Sequence, residues 1–278
     1  MDLSSIDALH PTFEANSGLL ILELEHGKAN EVGTAELGAF ESLCDLVERD
    51  ATVRTLCTTS RRTSSKGTPL FIAGANVTER SGWDDAMVKA HVHRQRALMC
   101  RLRRLPVYSI ALTHGVTLGW GTEYLLTTDL VLATPSASFA LPETGLGIIP
   151  GARGSAELAS AVGPAAALLL GCTGVRVSAE RALAMNLVHE LYDELEAGLA
   201  RVRELADHVA TRSPTAVAAF KSALLASLGE GESTRIEREA AAYEHCVDTG
   251  EAALGREAFA KIRAGERPTW GARRLLEG

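Results

Sequence analysis

Several protein classes are excluded by what this sequence lacks. It has no Lys/Arg run longer than two residues and a formal net charge of -7, so it carries no basic footprint for nucleic acid. Its five cysteines, Cys44, Cys57, Cys100, Cys172 and Cys246, are odd in number, widely spaced and without a Cys-x-x-Cys pair. That argues against a disulfide framework and a zinc site, and fits a reducing compartment. His91 and His93 would place their rings about 200° apart on a helix, a poor geometry for a shared metal. No apolar stretch approaches the roughly 20 residues that span a bilayer, and the opening Met-Asp-Leu-Ser-Ser-Ile-Asp has neither a basic nor an apolar leader region. We expect no metal, no nucleic-acid or membrane partner, and a cytoplasmic address.

What is present is a globular chain of 278 residues, 46% hydrophobic and 23% charged, enough for one large domain or a domain with a helical appendage. Short apolar runs alternate with amphipathic stretches in the first half, the pattern of β-α units. Strands are expected at 19–24, 53–57, 70–72, 107–112, 129–133 and 138–141, with helices over 34–48 and 86–104 and another after Gly121. Beyond Ser178 the pattern is almost purely helical, over 178–185, 194–210, 214–228, 233–247 and 251–264. Asn186 stands where a left-handed C-cap is wanted, and Gly229 to Ser233 is the clearest exposed joint. The expectation is an α/β core over 1–190 followed by a helical C-terminal region over 191–278.

Two glutamates twenty positions apart, Glu123 and Glu143, stand out within this frame. Each lies in a turn-prone setting, Gly-Trp-Gly-Thr-Glu and Leu-Pro-Glu-Thr-Gly-Leu-Gly-Ile-Ile-Pro-Gly, which points to acid–base work on a small substrate. Phe71-Ile-Ala-Gly-Ala ends a strand with small residues, and Leu118-Gly-Trp-Gly-Thr-Glu opens a helix. Small residues at such turns let a ligand approach the main chain, and a helix start offers unpaired amides. Two such turns side by side could hold an oxyanion; alternatively the glycines only permit tight turning.

Taken in order, Phe-x-Ala-Gly-Ala, His-Gly-x-x-x-Gly-x-Gly-x-Glu and Phe-x-Leu-Pro-Glu-x-x-Leu-Gly-Ile-x-Pro-Gly resemble the enoyl-CoA hydratase (crotonase) family, and the resemblance extends over roughly residues 17–268. It implies a crotonase-like spiral of ββα turns, a helical trimerisation region, trimers or dimers of trimers, and an acyl-CoA substrate with no cofactor besides the coenzyme A of that substrate. Carried over by position, the oxyanion hole would be the backbone amides of Ala75 and Trp120, with Glu143 the principal acid/base and Glu123 the group that orients and helps deprotonate water. The resemblance also places Lys28, Ala29, Ala73, Gly74, Gly119 and Gly121 against the substrate. Isomerases of the family look as if they need only the second carboxylate, so both glutamates favour addition of water to a 2-enoyl thioester. Another enolate reaction (isomerase, hydrolase or carbon–carbon lyase) and a non-catalytic acyl-CoA binder are the alternatives.

Some positions depart from the family pattern. Trp120 replaces a usual glycine, and its indole belongs either against the site or behind it in the core. Asn76 stands for a usual Asp, and Thr78 lies near a position that often carries a CoA-contacting Lys. Lys261 and Arg263 either reach a neighbouring subunit's nucleotide or are solvated. Arg153, at a helix start beyond Glu143, could bind a carboxylate on the acyl group or pair with an internal Glu. His114, where the family commonly has Asn, is expected to be a hydrogen-bonded turn residue. The segment from Asn76 to Lys89 is placed at the wall or lid of the acyl pocket.

Overall fold

The computed structural model describes residues 1–276. A short 3-10 segment, Ser4–Leu9, precedes a hairpin of β1 (Pro11–Glu14) and β2 (Leu19–Glu23) and then α1 (Thr34–Arg49). Three turns of strand, strand and helix follow. The first is β3 (Thr55–Thr59), β4 (Leu70–Ile72) and α2 (Asp85–Arg103), and the second is β5 (Tyr108–Thr113), β6 (Val116–Leu118) and α3 (Trp120–Leu125). The third is β7 (Leu130–Ala133), β8 (Ser138–Ala140), then α4 (Gly154–Val162) and α5 (Pro164–Thr173). After β9 (Val177–Ser178), α6 (Ala179–Ala184) and β10 (Glu190–Leu191) come α7 (Leu195–Ala210), α8 (Pro214–Ser227), α9 (Glu232–Asp248), α10 (Glu251–Glu257) and α11 (Phe259–Arg263). No helix among the described residues is long and apolar enough to cross a membrane.

Each turn contributes its first strand to one sheet and its second to another. The six-stranded sheet runs β1-β2-β3-β5-β7-β10 and the four-stranded sheet β4-β6-β8-β9. Pairing is parallel except between β1 and β2 and between β8 and β9. This is the ββα spiral expected from the resemblance. Because side chains alternate along a strand, the large sheet buries both faces. Leu20, Leu22, Leu56, Ala111 and Val131 enter the main core, whereas Leu19, Ile21, Cys57, Ile110 and Leu112 meet Leu195, Leu199, Val202 and Ala206 of α7. The runs of apolar residues in β2 and β5, without polar alternation, follow from that double burial.

The differences from the sequence-based expectation have local causes. The strand β1 begins with Pro11, which only an edge strand tolerates, since proline has no amide to donate to a ladder. Strand β6 is only three residues long and sits between Gly115 and Gly119. Helices α4 and α5 occupy a stretch whose turn residues dominate its appearance. The helix expected over 251–264 is two, α10 and α11, joined at Ala258, where ψ is 1°. Asn186 takes φ 65° after α6, as its C-cap position requires.

Candidate active site

Strand β6 ends at Leu118, and the chain must turn at once into α3. Gly119 does this with φ 50° and ψ -119°, a conformation that disfavours any side chain, while its amide bonds to the Ala140 carbonyl of the neighbouring strand. Thr122 ties the new helix down through its hydroxyl, which donates to the Thr117 and Ala140 carbonyls. Glu123, one turn in, is thereby carried into the interior and is 3% exposed. Its Oε1 accepts from the amides of Ala152 at 2.8 Å and Gly154 at 2.7 Å, at the start of α4. Burial pushes its carboxyl up to about 7; the nearby Glu143 adds to the rise and the two amides oppose it.

Glu143 lies in the 3-10 turn Pro142–Leu146 that follows β8. Its Oε1 approaches Gly119 so closely that a Cβ there would be 2.8 Å away, and its Oε2 is buried with no partner in the chain. Burial raises its pKa as well. Both glutamates line one cavity of about 630 Å³. Two carboxylates with raised pKa values, one held by amides and one with a bare oxygen, form a site able to hold and pass a proton near neutral pH.

The cavity also receives backbone donors. Ala75 bridges Val32 in parallel pairing, and the hydrogen bonds at that bridge use the Gly74 carbonyl and the Asn76 amide, so the Ala75 amide is left over. Trp120 is the first residue of α3, where the helix has no acceptor for its amide. Neither amide finds an acceptor among the described residues. The two turns adjoin: a Cβ on Gly119 would lie 3.9 Å from the Gly74 Cα. Ala73, Gly74, Ala75, Gly119 and Trp120 all line the cavity. The indole of Trp120 is behind this surface, 2% exposed, stacked on Tyr124 at 5.7 Å and beside Phe40 at 5.7 Å. The bulk that replaces a family glycine is thus absorbed by the core.

Other sequence-expected residues sit elsewhere. Gly121 does not line the cavity; a Cβ there would run into the Ile72 carbonyl, so its small size serves the packing of α3 on β4 instead of a substrate. Arg153 is also absent from the wall. Its φ is 85° and its guanidinium is taken up by Glu157, one helical turn ahead, and by Cys100 at 2.9 Å, so of its two expected partners, an acyl carboxylate and an internal Glu, the structure shows the internal Glu. Lys28 is exposed and off the wall, and the Ala29 carbonyl accepts from the Ala73 amide at 3.1 Å. Asn76 Oδ1 accepts from the Thr78 hydroxyl at 2.6 Å and from the Glu79 amide at 3.3 Å, within the 3-10 turn Thr78–Arg80. His114 bonds to Thr134 at 2.8 Å, a turn histidine as expected. Lys261 and Arg263 are exposed on α11.

The sequence reading missed several residues that shape the site. Asn30, fully buried at φ 53°, donates to Leu24, Ser60 and Phe71 and fixes the Lys28–Ala29 turn beside Ala73. Val88, Val92, Gln95 and Arg96 line the cavity from α2, and Val77 and Arg80 from the turn before it. The i, i+4, i+7 and i+8 spacing of the α2 residues was the available signal.

Comparison with known proteins agrees with this geometry. Residues 46–271 match the family described as enoyl-CoA hydratase/isomerase. The chain is 34% identical over 226 residues to enoyl-CoA hydratase domain-containing protein 2, mitochondrial, of Bos taurus, covering 80% of this chain and 74% of that protein. It is 30% identical over 255 residues to methylglutaconyl-CoA hydratase, mitochondrial, of Rattus norvegicus, covering 90% and 79%. The crystal structure of enoyl-CoA hydratase from Bacillus anthracis superposes with a TM-score of 0.83 at 30% identity, over 92% of this chain and 96% of that one.

Proposed function

The chain belongs to the enoyl-CoA hydratase/isomerase family, and we propose that it adds water across the double bond of a 2-enoyl-CoA thioester. The observation that carries this reading is the pair of glutamates on one cavity wall, Glu143 with a bare Oε2 and Glu123 held by the amides of Ala152 and Gly154. A reaction that only moves a proton along the acyl chain can be run by one carboxylate that takes the proton from one carbon and returns it to another, so a second buried carboxylate favours the addition of water. Keeping one costs stability, because both are raised by burial.

The thioester carbonyl oxygen would sit between the Ala75 and Trp120 amides, which draw electron density from the conjugated double bond and stabilise the enolate-like charge that develops on that oxygen. Removing one donor of this kind typically costs about 10²–10³ in rate. Water held between the carboxylates attacks the β carbon; its proton goes to ionised Glu123 while protonated Glu143 delivers its proton to the α carbon. One carbon–oxygen and one carbon–hydrogen bond form as the π bond is lost. Return of the proton from Glu123 to Glu143 restores the pair. Both groups lie on one wall, so both are delivered to the same face of the substrate.

Self-association belongs to the same reading. Phe220, Leu224, Ile236 and Tyr243, on α8 and α9, are 70%, 53%, 61% and 72% exposed and border one apolar groove. Such a surface is suited to a neighbouring subunit.

The test is the ultraviolet band of conjugated enoyl-CoA thioesters incubated with wild type, Glu123→Gln and Glu143→Gln. Loss of the band with wild type, slowed by several orders of magnitude in both variants, is the expected result. A band that persists with every thioester would overturn hydration and leave the isomerase, hydrolase or lyase alternatives.

A further inference from the structure

Two donors on the cavity wall have no role in the reaction above. Arg80 Nε and Gln95 Nε2 are buried without a hydrogen-bond partner in the chain, and both residues line the cavity that holds Glu123 and Glu143. Gln95 is only 4% exposed. Buried donors are rarely left unpaired, because the desolvation they suffer is then uncompensated. The one unpaired acceptor nearby, Glu143 Oε2, is used by the proton transfer, so the wall has an excess of donors.

Arg80 is the more unusual of the two. Among the described residues no carboxylate lies within ion-pair distance of its guanidinium. Its neighbour Glu79 is committed elsewhere, accepting from the Thr34 amide at 3.0 Å and the Thr34 hydroxyl at 3.2 Å, with His91 at 3.7 Å. Asn76 Oδ1 accepts from the Glu79 amide at 3.3 Å, in the turn Thr78–Arg80 that carries Arg80. Val77, Val88, Val92, Ile148 and Ile149 line the same cavity, whose other charged or titratable members besides Glu123 and Glu143 are Glu31, Lys89, His93 and Arg96. Burial works against the arginine's charge, and an anion beside it would offset that. A plain alkyl chain would fill the hydrocarbon part and leave every donor unpaired.

We propose that the acyl group taken by this cavity ends in a carboxylate bound by Arg80 and assisted by the Gln95 amide, so that the substrate is the mono-thioester of an unsaturated dicarboxylic acid. The inference rests on the reading that the cavity takes a CoA thioester. The anion has two possible sources, the acyl group and the phosphates of CoA. A buried Nε on the cavity that holds both glutamates suits a group that enters the cavity better than a phosphate that keeps its water. Planar, bidentate capture of a carboxylate is what a guanidinium does best. The cation for such a group is Arg80: Arg153 is spent on Glu157 and Cys100, Arg96 is exposed and donates its Nε to the Gly151 carbonyl, and Lys89 is exposed.

The test is calorimetric titration of the full chain with glutaryl-CoA and pentanoyl-CoA, five-carbon saturated thioesters that differ in a terminal carboxylate against a methyl group and are not turned over. Wild type should bind glutaryl-CoA roughly 10- to 100-fold more tightly. Arg80→Gln should bring the two affinities within about threefold, and Gln95→Leu should reduce the preference partly. Arg80→Lys, which keeps the charge, should retain part of it and guards against loss of fold. Equal affinities in wild type, a preference that survives Arg80→Gln, or an equal weakening of both ligands by Arg80→Gln (the signature of a phosphate contact) would each overturn the proposal. If pentanoyl-CoA binds and plain enoyl thioesters are hydrated while no preference exists, this inference falls and the proposed function stands. If neither thioester binds, both fall.

Discussion

Oε1 of Glu123 lies 2.7 Å from the amide nitrogen of Gly154, so a buried carboxylate on one short helix closes the start of another. The contact is close enough that a Cβ at Gly154 would lie 2.7 Å from the same oxygen. It ties α3, which brings in Glu123, to the loop that follows Glu143, and thereby sets the spacing of the two carboxylates. The N-terminal amides of α4 also favour the ionised form of Glu123 and oppose the effect of its burial.

Gly154→Ala should therefore act on catalysis. The methyl group must displace either the carboxylate or Pro150, whose Cβ is also 2.7 Å from the built atom. A misplacement of about 1 Å of a group in the reacting geometry costs on the order of 10² in rate. We expect a fall of that size in kcat with the thermal transition retained, measured by enoyl thioester hydration and a melting curve.

Glu123→Gln should abolish hydration and stabilise the fold above neutral pH. The folded-state pKa of Glu123 is raised from 4.5 to about 7, so the folded form holds its proton more tightly than the unfolded form. The resulting stability is fully present below pH 4.5 and is lost as pH rises through 7. Glutamine, neutral throughout, escapes that loss, and at pH 8 the variant should gain up to ~3 kcal/mol relative to wild type, with little difference at pH 4. Urea unfolding at the two pH values measures it. In wild type, kcat/KM should follow a bell-shaped pH profile, rising as Glu123 ionises and falling as Glu143 loses its proton, because the reaction needs the first ionised and the second protonated.

Gly121→Ala should reverse the usual sign of a helical substitution. Glycine to alanine within a helix normally gains roughly 1 kcal/mol. Here the new Cβ would collide with the Ile72 carbonyl and lie 2.8 Å from the Ile72 Cβ, with α3 fully buried against β4. A loss of about 1–3 kcal/mol is expected from overpacking, read from denaturant midpoints.

Arg153→Ala should lower the hydration of a plain and of a carboxylate-bearing enoyl thioester by the same small factor. The guanidinium pairs with Glu157, with side chains 21% and 26% exposed, and with Cys100. Ion pairs of this partly exposed kind contribute up to ~1 kcal/mol. A selective loss with the carboxylate-bearing substrate would return Arg153 to the binding site.

Much of the scaffold was legible because burial on both faces leaves an unmistakable mark: the apolar runs of β2, β3 and β5 and the spacing in α1 and α7 could be read directly. Edges and very short elements were not. Strand β1 opens with a proline, β6 is three residues long and β10 two, and none contains enough residues to show a period. The wall of the cavity was equally hidden, since Arg80 and Gln95 belong to no motif and matter only through what they fail to touch.

The order of three glycine-rich motifs was sufficient, without coordinates, to identify the family, the ββα spiral and the two glutamates as a pair. Such motifs encode local requirements, a positive φ at Gly119 or a close approach at Gly121, that few other residues can meet. Tertiary structure decided everything that depends on distance between remote segments. It turned the Trp120 indole onto Phe40 and Tyr124, gave Glu123 its amides, spent Arg153 on Glu157 and left Arg80 unpaired. Side-chain pairing and desolvation are properties of a packed interior, and a linear pattern carries no record of which charge will meet which.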